Sequence, residues 1–186
     1  MRFRLYYRGD LRANGSPKHK SELRSSFHYQ LKALWQQEPL AGLSKYIDPN
    51  YKPDDCYLGM PRQGRVFYPI ISEKIFTVAE LDILLLRPGD PGFVTVGGGD
   101  IDNRLKTLLD SLQVPHPNED AGKCSLPEKE ENVFCLLQDD KLITRLSVEA
   151  DRLLECDAAK PNEVVLVIKI QVLASSGGFC NLGIAV

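Results

Sequence analysis

Segments of strand length outnumber helical segments along this chain, and their order restricts the folds that it can adopt. Only residues 17–35 and 100–112 carry apolar side chains at helical spacing. The segments with strand character, either alternating or continuously apolar, are 2–7, 66–72, 78–86, 133–137, 142–148 and 164–172. The order strand, helix, strands, helix, strands predicts an α+β fold in which two principal helices pack on a mixed β-sheet and bury their apolar stripes.

The first helical segment has a defined start and one apolar face. Ser16 suits the N-cap because its side chain can accept a backbone hydrogen bond, and Pro17 suits the first helical position. The apolar face consists of Leu23, Phe27, Leu31 and Leu34. We therefore expect a helix that follows a turn at 12–15, ends near Trp35 and packs this face on the core.

Two stretches without periodicity interrupt this pattern. Residues 37–65 contain four prolines and three glycines, and residues 115–132 are mostly charged between three prolines. Irregular connections of this length are uncommon within a compact domain. Because 186 residues suit one domain, we interpret both stretches as insertions in a single domain that spans residues 1–186.

Composition and cysteine usage argue against several classes of protein. No apolar run is long enough to cross a bilayer, and the first residues lack the apolar centre of a secretory signal. The five cysteines are scattered and include no CxxC pair, so neither a disulfide framework nor a zinc site is expected. A cytoplasmic protein without membrane contact is the expectation, with Cys135 and Cys180 as packing residues.

The net charge of −2 conceals an uneven distribution. Residues 1–36 hold eight Lys and Arg against two acids, whereas residues 114–140 hold two against seven. This asymmetry is compatible with a polyanion on one surface and a cation at a carboxylate cluster. Solvated charge on ordinary surfaces fits the same composition, so both interpretations stay open.

Three aspartates carry the candidate chemistry. In an extended backbone Asp100 and Asp102 project to the same side, and Asp140 could join them from a neighbouring strand end. Carboxylate oxygens are the ligands that Mg²⁺ or Mn²⁺ prefers. Lys106 lies one helical turn beyond Asp102 and would point toward the same site. Helix capping at Asp102 and a turn at 139–140 would explain these aspartates without a metal.

The spacing of these residues resembles the signature of the RusA family of Holliday junction resolvases. The matching positions are Asp100, Asp102, Asn103, Lys106, Asp110 and Leu112, followed by Leu137, Asp139 and Asp140 before a strand. The resemblance extends to the order of the elements and implies a RusA-like fold. It implies that Asp100, Asp102 and Asp140 bind a divalent metal. It also implies that Lys106 is essential for cleavage and that two copies form a homodimer on a four-way DNA junction.

Three further residues are candidates for a supporting role around the metal. Asn103 would orient a carboxylate, although an N-terminal cap is an equal alternative. Asp110 would serve as an outer ligand, but a helical ion pair with Lys106 is the favoured interpretation. Asp139 would support Asp140 from the adjacent position.

A nuclease must hold a polyanion beside its own acids, and the basic N-terminal part supplies the candidates. They are Arg8, Arg12, Lys18, Lys20 and Arg24. Lys18 and Lys20 fall in the first turn of the predicted helix, where a bound phosphate would relieve their opposition to the helix dipole. As a cluster these residues favour a phosphate track, although an ordinary surface residue is the favoured interpretation of each one alone.

The function expected from these residues and the resemblance is a Mg²⁺- or Mn²⁺-dependent endodeoxyribonuclease that acts as a homodimer on branched or otherwise structured DNA. The metal would polarise the phosphodiester and lower the pKa of a water molecule, and Lys106 would stabilise the phosphate charge. Two alternatives remain: a catalytically inactive nucleic-acid-binding or protein-interaction module of the same fold, and the same metal chemistry on RNA.

Overall fold

The computed structural model describes the chain except for residues 52–55, 63, 89–100, 118–125, 127–129, 156–161, 179, 182 and 185–186. The strands are β1 (Arg2–Asp10), β2 (Met60–Arg62), β3 (Arg65–Ile71), β4 (Thr77–Arg87), β5 (Asn132–Leu137), β6 (Ile143–Arg152) and β7 (Glu163–Ala174). The long helices are α1 (Pro17–Leu34) and α2 (Ile101–Leu112), and short 3₁₀ helices cover Ala41–Ile47, Glu73–Ile75 and Asp140–Leu142. The α+β class predicted from the sequence is confirmed.

The described strands form two sheets, whereas the sequence predicted one. The larger sheet has the order β1-β7-β4-β6, with β4 and β6 parallel, and the smaller has the order β2-β3-β5, with β3 and β5 parallel. Strands β3 and β4 are separated by one 3₁₀ turn, which ends at Phe76 in the left-handed conformation (φ 52°). Because the chain turns sharply there, consecutive strands enter different sheets.

Helix α1 has the start and the buried face that the sequence predicts. Ser16 Oγ accepts a hydrogen bond from the backbone N–H of His19, and Pro17 is the first helical residue. The face on the core consists of Leu23, Phe27 and Leu31, with Leu34 at its margin. No helix of the described residues is both long and apolar enough to span a membrane.

Helix α1 also covers the free edge of strand β1. The Gln30 side chain donates to the Tyr6 carbonyl (2.7 Å) and accepts from the Tyr6 N–H (3.0 Å). One side chain thus forms hydrogen bonds with both the backbone N–H and the carbonyl of Tyr6, as a neighbouring strand would.

The described residues of the segment 37–65 contribute to the core in spite of their irregular sequence. Their buried apolar residues include Leu40, Leu43, Tyr46 and Leu58. A disulfide joins Cys56 to Cys180, which corrects the expectation that Cys180 serves only in packing. The two cysteines are 124 positions apart, so that only the fold brings their Cα atoms to 6.5 Å. Cys135 is buried, as expected of a packing residue.

Candidate metal and nucleic-acid site

Helix α2 carries the polar residues of the predicted site on its solvent side. The backbone N–H of Gly15 donates to Thr107 Oγ1 (2.9 Å), which ties α2 to the turn before α1. Leu108 is buried in the core, whereas Asp102 and Lys106 are exposed. Because they are four residues apart, Asp102 and Lys106 lie one above the other on the same side of the helix.

The first turn of α2 contains Asp102 and Asn103 inside the helix rather than at its cap. The helix begins at Ile101, and a carboxylate in this turn is stabilised by the positive end of the helix dipole. The Asn103 carbonyl accepts from Thr107 Oγ1 (3.0 Å). Asp100 lies outside the described residues, so its predicted role as a metal ligand stays a prediction.

The Asp139–Asp140 pair follows the buried strand β5 and begins a 3₁₀ turn. Asp139 caps this turn, since its Oδ1 accepts from the backbone N–H of Lys141 (3.0 Å). The backbone N–H of Asp140 donates to Gln113 Oε1 (3.1 Å), and the Asp140 carboxylate is exposed. Gln113 follows the last residue of α2, so Asp140 lies beside the C-terminal end of that helix.

A cleft of about 420 Å³ opens at this end of α2. Its charged and titratable lining consists of Arg62, His116, Asp139 and Asp140. The Arg62 Nε donates to the Pro115 carbonyl (3.3 Å), which holds the arginine at the cleft. Three residues of this cleft were not predicted from the sequence: Arg62, Gln113 and His116. Each is separated from Asp139 and Asp140 by an irregular segment and belongs to no motif.

The predicted ligands are divided between the two ends of α2. Eleven residues separate Asp102 from Gln113, which is about 16 Å along a helix axis. Gln113 links two acids at its own end, because its Nε2 donates to Asp110 Oδ1 (3.3 Å) while its Oε1 accepts from Asp140. Within the described ranges no group of three or more His, Cys, Asp or Glu side chains is arranged to hold a metal ion. Convergence of Asp100, Asp102 and Asp140 on one ion therefore stays a prediction.

Asp110 pairs with helix α1, and the predicted ion pair with Lys106 is corrected. Lys20 Nζ lies 2.7 Å from Asp110 Oδ2, and both side chains are about one-fifth exposed. The pair joins the two helices, and it takes Lys20 out of the group of freely exposed cations. Helical spacing alone could not distinguish this partner from Lys106, since interhelical contacts do not follow from the sequence of one helix.

Arg24 is a structural residue in this fold, which corrects its predicted place on a basic surface. Its side chain is buried, with 3% exposed. It donates to the backbone carbonyls of Asp110 (2.8 Å) and Gln113 (3.2 Å). These carbonyls lie at the C-terminal end of α2, where they have no hydrogen-bond partner within the helix. The helix dipole favours a positive charge at this end.

The other predicted DNA-binding cations lie at the surface. Arg8 Nε lies 3.2 Å from Glu163, and Arg12 Nε lies 2.6 Å from Asp10, whose hydrogen bond and charge raise the pKa of Arg12. Lys18 is exposed in the first turn of α1. Two of these three cations thus have acidic partners with which a phosphate would compete.

Three predicted site residues, Asp102, Lys106 and Asp140, differ from the acids and bases above, which form ion pairs. All three are exposed, and none forms an ion pair with another described residue. Their charges are therefore available to a ligand without the loss of an existing contact among the described residues.

Comparison of the chain with protein-family models, with curated proteins and with solved structures finds no match.

Proposed function

We propose that this chain is a divalent-metal-dependent endonuclease that hydrolyses phosphodiester bonds in branched or otherwise structured DNA. The observation that carries the proposal is the availability of Asp102, Lys106 and Asp140, which are exposed and form no ion pair with another described residue. The spacing of these residues, with Asp100 before them, is the basis of the resemblance to the RusA family.

The chemistry of the donors fits a hard divalent cation. Asp100, Asp102 and Asp140 would hold Mg²⁺ or Mn²⁺ through carboxylate oxygens, and the ion would supply Lewis-acid activation of the phosphate and of water. Lys106 would contribute a positive charge one turn from Asp102, where it would stabilise negative charge on the phosphate oxygens. Asn103 and Asp139 would orient the carboxylates beside them.

The described geometry adds a condition to this proposal. Along the axis of α2, Asp102 lies about 16 Å from Gln113, whose side chain accepts the hydrogen bond from Asp140. A shared ion thus requires the turn at 139–140 to move toward the first turn of α2, and the hydrogen bond from Asp140 to Gln113 opposes that movement. We propose that metal binding opens this hydrogen bond.

A second candidate function is a module of the same fold that binds nucleic acid without cleaving it. The separation of Asp102 from Asp140 along α2 favours it, because two aspartates that never share an ion cannot support the expected chemistry. In this case Asp102 would stabilise the first turn of α2 and Lys106 would contact phosphate.

The deciding experiment compares a four-way DNA junction, a linear duplex and a structured RNA in Mg²⁺. A nuclease cleaves at least one of them, and Asp102→Asn or Lys106→Ala lowers the rate by about 100-fold or more while binding is kept. Glu131→Gln, an exposed acid outside the site, is the matched control and keeps the wild-type rate. Binding without cleavage of any substrate would support the second candidate, and cleavage of RNA alone would transfer the proposal to RNA.

A further inference from the structure

The cleft at the C-terminal end of α2 has an apolar wall that the fold holds in place. Val114 is 6% exposed and belongs to a small second hydrophobic cluster, and Met60 packs against the same cluster. The backbone N–H of Val114 donates to the Leu137 carbonyl (2.9 Å), which attaches the chain after α2 to strand β5. Pro115 and Pro117 also line the cleft. The wall therefore offers apolar surface at a position fixed by packing and by strand β5.

Arg62 supplies a positive charge to the same cleft. It ends strand β2, where its Nε donates to the Pro115 carbonyl (3.3 Å) and its Nη1 donates to the Pro61 carbonyl (2.7 Å). Both acceptors are neutral, and no carboxylate of the described residues forms an ion pair with Arg62. Its Nη2 also has no hydrogen-bond partner among them. The guanidinium is thus held in position, while its charge and one of its nitrogens stay available to an anion.

The acids of the cleft favour phosphate as this anion. Arginine matches the geometry of both carboxylate and phosphate, so Arg62 by itself does not decide between them. Asp139 and Asp140 line the same cleft and would repel either anion in the absence of a metal. A divalent ion at Asp140 would reverse this repulsion, and phosphate is the anion that the proposed chemistry brings to such an ion.

The size of the cleft limits what can enter it. A volume of about 420 Å³ lies near the lower end of the range for small-molecule sites, about 300–1,000 Å³. One nucleotide fits a volume of this order, whereas a duplex, whose major groove alone is about 12 Å wide, does not. A base that is paired and stacked in a duplex must leave the stack before it can enter such a cleft, and an unpaired base does so at the lowest cost.

We infer that this cleft binds one unpaired nucleotide, with its phosphate on Arg62 and its base against the apolar wall. The inference rests on the proposed function, because that function makes the nucleotide part of a DNA substrate and assigns Asp140 to the metal. It defines the substrate class more closely as DNA that carries an unpaired nucleotide beside the cleaved bond, as in a bulge or a flap. DNA in which every base is paired binds less tightly, since a base must first be extruded.

Other ligands fit the cleft less well. An uncharged apolar molecule would remove water from Arg62 and Asp140 without pairing either charge, which costs free energy. An organic cation would pair with Asp139 or Asp140 but would meet the positive charge of Arg62. A nucleotide satisfies the apolar wall and the guanidinium together.

The first test measures the affinity of the full chain for two dye-labelled DNA duplexes by fluorescence anisotropy. One duplex carries a single unpaired deoxyadenosine, and the other has the same sequence fully paired. EDTA is present, so that the result depends neither on metal binding nor on cleavage. We expect the bulged duplex to bind at least about tenfold more tightly, and Asp140→Asn to bind it more tightly still because a repelling charge is removed. Equal affinities for the two duplexes in both proteins would overturn the inference.

Arg62→Ala tests the phosphate contact. We expect its affinity for the bulged duplex to fall at least about tenfold, and its affinity for the paired duplex to fall much less. Arg4→Ala is the matched control, because Arg4 is an exposed arginine on β1, in the other sheet, and forms no ion pair with a described residue. It removes the same charge from the chain and should change both affinities less than about threefold. Equal losses in Arg62→Ala and Arg4→Ala would show a general effect of charge and would contradict the phosphate contact.

Met60→Ser tests the apolar wall even where Arg62→Ala fails to fold, and circular dichroism checks the fold of each variant. Met60 is partly exposed, so part of its side chain is available to a base. We expect the preference for the bulged duplex to fall about threefold or more, while the affinity for the paired duplex stays the same. An unchanged preference would show that the base does not contact the wall, against the inference.

Titration calorimetry with deoxyadenosine monophosphate distinguishes a free nucleotide from one that belongs to DNA. Binding that Arg62→Ala abolishes, without any preference for the bulged duplex, would support a site for a free mononucleotide and overturn the role of the cleft in DNA binding. A preference for the bulged duplex without cleavage of any DNA in Mg²⁺ would support the inference and contradict the proposed function. Cleavage in Mg²⁺ without such a preference would contradict the inference alone.

Discussion

The backbone N–H of Asp140 donates to the side chain of Gln113, which links the second predicted metal-binding segment to the C-terminal end of α2. The same side chain donates to Asp110, so Gln113 connects two acids whose charges repel. This link holds Asp140 away from the first turn of α2, where Asp102 lies. Gln113 is thereby the residue on which the geometry of the proposed metal site depends.

We predict that Gln113→Ala strengthens Mg²⁺ binding while it destabilises the fold. Loss of a partly exposed hydrogen bond lowers the free energy of unfolding by about 1 kcal/mol. If metal binding must open the same bond, its removal raises the affinity by up to about fivefold. Titration calorimetry with Mg²⁺ and urea unfolding measure the two effects, and Gln37→Ala, at an exposed position, is the control.

A loss of stability without any gain in Mg²⁺ affinity would show that the hydrogen bond is only structural. Absence of Mg²⁺ binding to both wild type and variant would contradict the proposed metal chemistry itself.

The elements of this fold follow from the sequence, because each depends on neighbouring residues. The start of α1 at Ser16 and Pro17 and the alternation in β4 and β7 are local patterns that burial reinforces. The division into two sheets depends instead on the turn at Phe76 and on the parallel pairing of β3 with β5 across a long connection. Neither leaves a pattern in the sequence.

The candidate site shows the same division between local and distant contacts. The side of α2 that exposes Asp102 and Lys106 follows from helical periodicity. The partner of Asp110 and the burial of Arg24 depend on how α1 crosses α2, which neither helix encodes alone. A basic residue that the sequence assigns to a nucleic-acid surface, such as Arg24, can therefore serve in helix packing instead.

The ion pair between Lys20 and Asp110 is expected to stabilise the contact between α1 and α2. Since both side chains are only about one-fifth exposed, we expect a coupling energy of about 1 kcal/mol, at the upper end for surface pairs. Urea unfolding of Lys20→Met, Asp110→Asn and the double variant gives this energy. A parallel cycle with Lys18→Met, at an exposed neighbouring position, should be additive. Additivity in the Lys20 cycle would contradict the pairing.

The disulfide between Cys56 and Cys180 is expected to contribute to stability by restricting the unfolded chain. Cys56→Ser should lower the free energy of unfolding by about 2–4 kcal/mol under oxidising conditions. Dithiothreitol should lower the stability of the wild type by a similar amount and leave the variant unchanged. Peptide mapping after alkylation identifies the bond directly, and complete alkylation of Cys56 without reduction would contradict it.

His28 on α1 supports strand β5 through its unprotonated ring nitrogen. The ring is fully buried, and Nδ1 accepts a hydrogen bond from the backbone N–H of Phe134 (3.0 Å). Nε2 faces Glu130 Oε1 at 3.4 Å. Burial lowers the pKa of His28 below its ordinary value of 6.5, and Lys32 and Arg65 act in the same direction, against the opposing effect of Glu130.

We predict that the protein loses stability as the pH falls from about 8 to about 5, and that His28 causes part of this loss. Below pH 6.5 the unfolded chain binds a proton at this residue more readily than the folded chain, so each step toward lower pH favours unfolding. His28→Asn keeps an acceptor near Nδ1 but does not titrate, so its free energy of unfolding should depend less on pH. Urea unfolding across this range measures the difference, with Tyr29→Phe, at an exposed neighbouring position, as the control. Equal pH dependence in wild type and His28→Asn would show that the His28 imidazole binds protons equally in the folded and the unfolded chain, which would contradict the prediction.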